Sequence, residues 1–143
     1  MQKKSSRVQA AVFAAMFLSF GAPPCALGAD ATGSLSGDWS GTSLCVANHD
    51  PCRDEKALYH LKGPDERHLV HVVGSKIVDG REIIMGPPSD FTYDAVKGTL
   101  LLATERSVFR FTVTGDKLEG TLTLLPSGVL YRRISLKKDG KPA

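Results

Sequence analysis

Between Ser107 and Lys137 the side chains alternate with a period of two, and only short turn segments interrupt the pattern. Such a chain folds by pairing strands, because successive strand side chains point to opposite faces of a sheet. Phe109, Phe111 and Val113 alternate with Val108, Arg110 and Thr112 as far as the turn Thr114-Gly115-Asp116-Lys117. Leu118, Leu122 and Leu124 then share a face with Gly120, opposite Glu119, Thr121 and Thr123. After Pro126-Ser127-Gly128, Leu130, Arg132, Ile134 and Leu136 fall on one side and Tyr131, Arg133, Ser135 and Lys137 on the other.

The same signals run upstream. Phe91–Asp94 and Thr99–Thr104 form a pair around Ala95–Gly98, and Asp79-Gly80 is a favoured two-residue hairpin turn between His68–Val78 and Arg81–Met85. Lys56–Lys62 and Asp38–Val46 complete the set. Gly86-Pro87-Pro88-Ser89 ends the strand through Met85, a residue that can line a pocket or fill a core. The reading is an all-β domain, a small antiparallel up-and-down barrel of about eight to nine strands. A sandwich is the alternative; the local turns favour the barrel because they leave no long crossover for a Greek key.

The first 28 residues read as a signal peptide. Lys3, Lys4 and Arg7 precede the apolar run Ala10–Phe20, which is too short to span a bilayer, and Ala26-Leu27-Gly28 offers small residues for cleavage. The expected location is therefore exported, periplasmic or secreted, with no membrane span. Residues 29–36 read as a flexible lead-in, 37–137 as the barrel and 138–143 as a tail. All of the net charge of +3 belongs to the signal, so the mature domain is neutral and has no electrostatic footprint for nucleic acid. Cys25 lies inside the signal, where Ala22-Pro23-Pro24 matches a lipid-attachment motif poorly. Cys45 and Cys52 remain, and an even pair in an exported chain predicts a disulfide, with free thiols or a metal pair as alternatives.

Gly37-Asp38-Trp39 contains the only tryptophan and resembles the Gly-x-Trp start of the calycin superfamily, the lipocalins, fatty-acid-binding proteins and avidins. The resemblance implies a barrel whose tryptophan closes one end, with an arginine from the last strand packed across its indole. Arg132, set among Leu130, Ile134 and Leu136, is the matching residue. The run from Gly37 through Phe91-Thr92-Tyr93-Asp94 to Leu130-Tyr131-Arg132-Arg133-Ile134 is also similar to small exported bacterial proteins of unassigned function.

Catalytic patterns are missing. No Gly-x-Ser-x-Gly elbow or glycine-rich phosphate cradle is present, and Asp54-Glu55 and Asp65-Glu66 read as solvated turn carboxylates. His68 and His71 would lie on opposite faces of a strand, and His60 with His71 falls short of the three convergent ligands of a catalytic zinc. The expectation is a protein without enzymatic activity, metal or cofactor that binds a small apolar or amphipathic molecule. Trp39, Phe91, Tyr93, Phe109, Phe111, Leu122, Leu130 and Arg132 are the expected ligand-binding residues. The alternative is a packed barrel that binds an exported protein partner, such as a hydrolase, through Asn48, His49 and Asp50 in the loop between the cysteines.

Overall fold

The computed structural model describes residues 35–46 and 51–140. The signal segment 1–28, most of the lead-in and the loop residues Asn48, His49 and Asp50 lie outside the described residues.

The alternating segments form nine strands: β1 (Gly37–Cys45), β2 (Glu55–Lys62), β3 (Leu69–Val78), β4 (Arg81–Ile84), β5 (Ser89–Asp94), β6 (Thr99–Ala103), β7 (Ser107–Thr114), β8 (Lys117–Leu124) and β9 (Val129–Lys138). Their order is β2-β1-β9-β8-β7-β6-β5-β3-β4, and a further β2–β3 pairing closes the sheet on itself. The result is an eight-stranded antiparallel barrel with β4 as an extra strand on β3. Closure satisfies the backbone groups that an open sheet would leave at its edges.

The turns follow from their residues. Asp79 and Gly80 both take positive φ, 50° and 75°, the geometry that joins two strands through a two-residue loop without splaying them. His68 also has positive φ, 61°, which moves the start of β3 to Leu69. Along β3, Leu69–Val72 pair with β5 while Ser75–Val78 pair with β4. β4 and β5 thus run along the same side of β3, separated by Met85-Gly86-Pro87-Pro88, where the prolines have no N–H for a ladder. β4 has no second neighbour in the sheet, and all four of its residues are exposed.

One end of the barrel is packed solid. Trp39, Leu35, Val70, Leu100, Phe111 and Leu118 are almost wholly buried, and the Trp39 indole N–H donates to the Leu35 carbonyl at 2.9 Å. The lead-in therefore ends earlier than its small polar residues predict. Leu35 belongs to the core, and the Ser36 hydroxyl donates to the Gly63 carbonyl at 3.0 Å. The tail begins later, because β9 continues through Lys138 and the Asp139 amide donates to the Asp38 carbonyl at 2.8 Å.

Two expectations about β9 are corrected by register. Trp39 faces Lys138 and Cys45 faces Arg132, so the tryptophan and the arginine sit six β1 residues apart, about 20 Å at the usual strand rise. Lys138, with its Nζ 5.8 Å from the ring centroid, occupies the place over Trp39 that the calycin resemblance assigns to Arg132. Further along β9, Leu122 pairs with Arg132 but Thr123 pairs with Leu130, a bulge that gives β9 one extra residue at Tyr131. The bulge reverses the alternation. Leu130 consequently shares the outward face of Thr123, and the inward, ligand-facing role expected of it does not hold.

Candidate functional site

The other end of the barrel holds a cavity of about 430 Å³. Its apolar wall comes from Val72, Phe91, Leu102, Phe109, Leu122 and Ile134, with Met85, Gly86 and Pro87 of the β4–β5 connection at the rim. Ser43, Glu55, Tyr59 and Arg132 add polar lining on one side, and Ser89 and Thr104 on the other. A concave apolar pocket with a few convergent polar groups is the usual form of a small-molecule site.

Of the residues expected to bind ligand, Phe91, Phe109, Leu122 and Arg132 line this cavity. Phe111, Tyr93 and Trp39 face inward but lie in the packed half. Phe111 is two residues nearer the Trp39 end than Phe109, and it packs edge-on to Tyr59 with centroids 6.0 Å apart and tilted against Phe91 at 5.8 Å. These rings are the floor under the cavity. Tyr59 went unmarked in the sequence, although its alternation with the buried Ala57 and Leu61 carries the signal. Glu55 reads as a loop carboxylate beside Asp54, yet it opens β2 and turns into the cavity.

The polar lining is a connected group. Arg132 Nη1 donates to the Arg53 carbonyl at 3.0 Å and to Ser43 Oγ at 3.3 Å, and it lies 3.4 Å from Glu55 Oε2. The other Glu55 oxygen accepts from Lys76 Nζ at 3.3 Å. Both members of the Arg132–Glu55 pair are largely buried, with side chains 14% and 18% exposed. A pair so placed orders the site more than it stabilises the fold, because the attraction must first offset two desolvations. Burial pushes the Tyr59 phenol up to about 12, against the smaller opposing pull of Arg132, so its hydroxyl keeps its proton at any ordinary pH.

The Cys45–Cys52 disulfide is formed at this same end of the barrel. The Cys45 amide donates to Asp54 Oδ1 at 2.8 Å and the Val46 amide to the Tyr131 carbonyl at 3.0 Å, so both flanks of the bridged loop are tied to the rim.

On the outer wall, His60 links three strands. Its Nδ1 lies 2.6 Å from Asp38 Oδ1 on β1, and its Nε2 lies 2.6 Å from Glu82 Oε1 on β4. Two carboxylates facing both ring nitrogens favour the imidazolium, in which both nitrogens donate. The Asp38 hydrogen bond, then that of Glu82, raises the His60 pKa above its ordinary 6.5. A raised folded-state pKa contributes stability that is complete below 6.5 and is lost as pH rises through the folded value. Urea midpoints should therefore fall between about pH 6 and about pH 9, and His60→Gln should flatten that fall. An unchanged slope in the variant would refute the assignment. His71 makes a separate contact with Asp90 at 2.9 Å. Among the described residues, no three histidine, cysteine or acidic side chains are arranged to hold a metal ion.

Among the described residues, no helix is long and apolar enough to cross a membrane. No protein-family model matches the chain, and no curated protein matches it in sequence.

Proposed function

We propose that this protein is an exported, calycin-like barrel that binds a small amphipathic molecule in the cavity at its open end. The observation that carries the reading is the division of the barrel interior. One half is filled by Trp39, Phe111 and Leu118, while the other leaves about 430 Å³ between aromatic and aliphatic walls. Eight-stranded barrels are narrow enough to be filled by their own side chains or to hold one small ligand, and here each condition occupies one half. The signal-like N-terminus and the formed disulfide support export, since such bridges persist in oxidising compartments. The two charged residues, Glu55 and Arg132, stand together on one part of the lining with Ser43 and Tyr59, which favours a ligand with a polar head over a pure hydrocarbon.

Calorimetric titration with 1-octanol, a neutral amphipath, tests this. Saturable binding at one site is expected, and Leu122→Trp, which places an indole in the cavity, should remove it while the far-ultraviolet spectrum stays that of the barrel. An absence of saturable uptake by the wild-type protein would overturn the proposal.

A further inference from the structure

Among the described residues, Arg132 has more hydrogen-bond donors than its partners use. A guanidinium carries five N–H groups, two on each terminal nitrogen and one on Nε. Every hydrogen bond that Arg132 makes among the described residues runs through Nη1, to the Arg53 carbonyl and to the hydroxyl and carbonyl of Ser43, and Nη1 is also its closest atom to Glu55. The Arg132 Cζ also lies 5.5 Å from the centroid of the Tyr131 ring. Nε and Nη2, which form one straight edge, have no partner among the described residues. Neither is sealed in protein, because the single fully buried side-chain nitrogen or oxygen without a partner among those residues is Ser75 Oγ. Arg132 lines the cavity, and its side chain is only 14% exposed.

The local charge has the matching sign. Glu55 is shared by two cations, Arg132 and Lys76, which leaves this group one positive charge in excess beside an apolar wall. Tyr59, only 6% exposed and also lining the cavity, has a hydroxyl with no hydrogen-bond partner among the described residues. It offers a neutral donor to an incoming acceptor.

We infer that the cavity takes amphipathic carboxylates, the carboxylate seated bidentately on the Nε–Nη2 edge of Arg132 and the apolar tail lying against Phe91, Phe109 and Leu122. A planar carboxylate matches two parallel N–H groups, and charge-assisted pairs of this kind are stronger than neutral ones. The inference rests on the cavity being a ligand site, and it adds the class of ligand.

Octanoate and 1-octanol, which differ in the head group, separate the two claims when titrated in parallel at neutral pH and low salt. The wild-type protein should bind octanoate roughly 10- to 100-fold more tightly than 1-octanol. In Arg132→Gln that ratio should fall to about one, and in Arg132→Lys, which keeps the charge but loses the fork, it should fall to an intermediate value. Tyr59→Phe should lower the ratio several-fold, and it gives a second readout if Arg132→Gln does not fold. Equal affinities in the wild-type protein would overturn the carboxylate assignment and leave the cavity reading standing; no binding of either would remove both. A preference for octyl sulfate over octanoate by tenfold would also overturn it, because the planar fork would not then be the determinant.

Discussion

Phe111→Ala should lower the unfolding free energy by about 3 to 5 kcal/mol, the range for truncating a fully buried aromatic ring. Phe111 is 1% exposed and joins the two halves of the barrel, with Tyr59 edge-on and Phe91 tilted against it. Its ring occupies the space that Gly120 leaves on β8, where a Cβ would collide with Phe111 Cδ1 and come within 2.5 Å of the Arg110 carbonyl. Ring and glycine fit as a pair, so little can move in to fill the hole. Phe109→Ala should cost distinctly less, because that ring already borders open space in the cavity. Urea unfolding of the oxidised protein measures both. Equal losses for the two variants would mean that Phe111 is not the floor of the cavity.

Gly41→Ala should be about as damaging, with a loss of about 3 kcal/mol or more or no folded protein at all. A Cβ there would run into the Ser135 carbonyl and come within 3.0 Å of the Leu136 Cα, both backbone atoms of β9 that no rotamer change can clear. The site lies on the β1–β9 seam, where the first strand meets the last to complete the wall. Gly115→Ala is the control. That glycine has φ 61° but nothing within 4 Å of an added Cβ, so only left-handed strain remains, roughly 1 to 2 kcal/mol. If the two variants proved equally stable, the close approach of β1 to β9 would be wrong.

The strands were legible because each local signal agreed with its neighbours. Phe109 and Phe111 alternate in phase with Leu118 and Leu122, and Asp79-Gly80 marks a turn that only positive φ can make. What the sequence did not carry was pairing between distant segments. Trp39 meets Lys138 and not Arg132 because the β1–β9 register, a property of two strands at opposite ends of the domain, decides it. Leu130 turned outward because a bulge needs no recognisable residue type at Tyr131, yet it moves the residues before it out of phase with Arg132, Ile134 and Leu136. Among the site residues, the apolar ones followed from alternation, whereas Glu55 looked like half of a solvated acidic pair until Arg132 and Lys76 were placed beside it.

Because β1 is held between β2 and β9, the barrel wall cannot close until its last strand is in hand. A growing chain would carry a sheet with two raw edges until β9 emerged, a liability for folding at the ribosome and none for a chain delivered across a membrane before it folds. The same adjacency brings the two ends of the domain together, with the Asp139 amide bonded to the Asp38 carbonyl. A short linker could join them and the chain be reopened at the Gly115 turn, giving a permuted protein with the same wall and the same cavity.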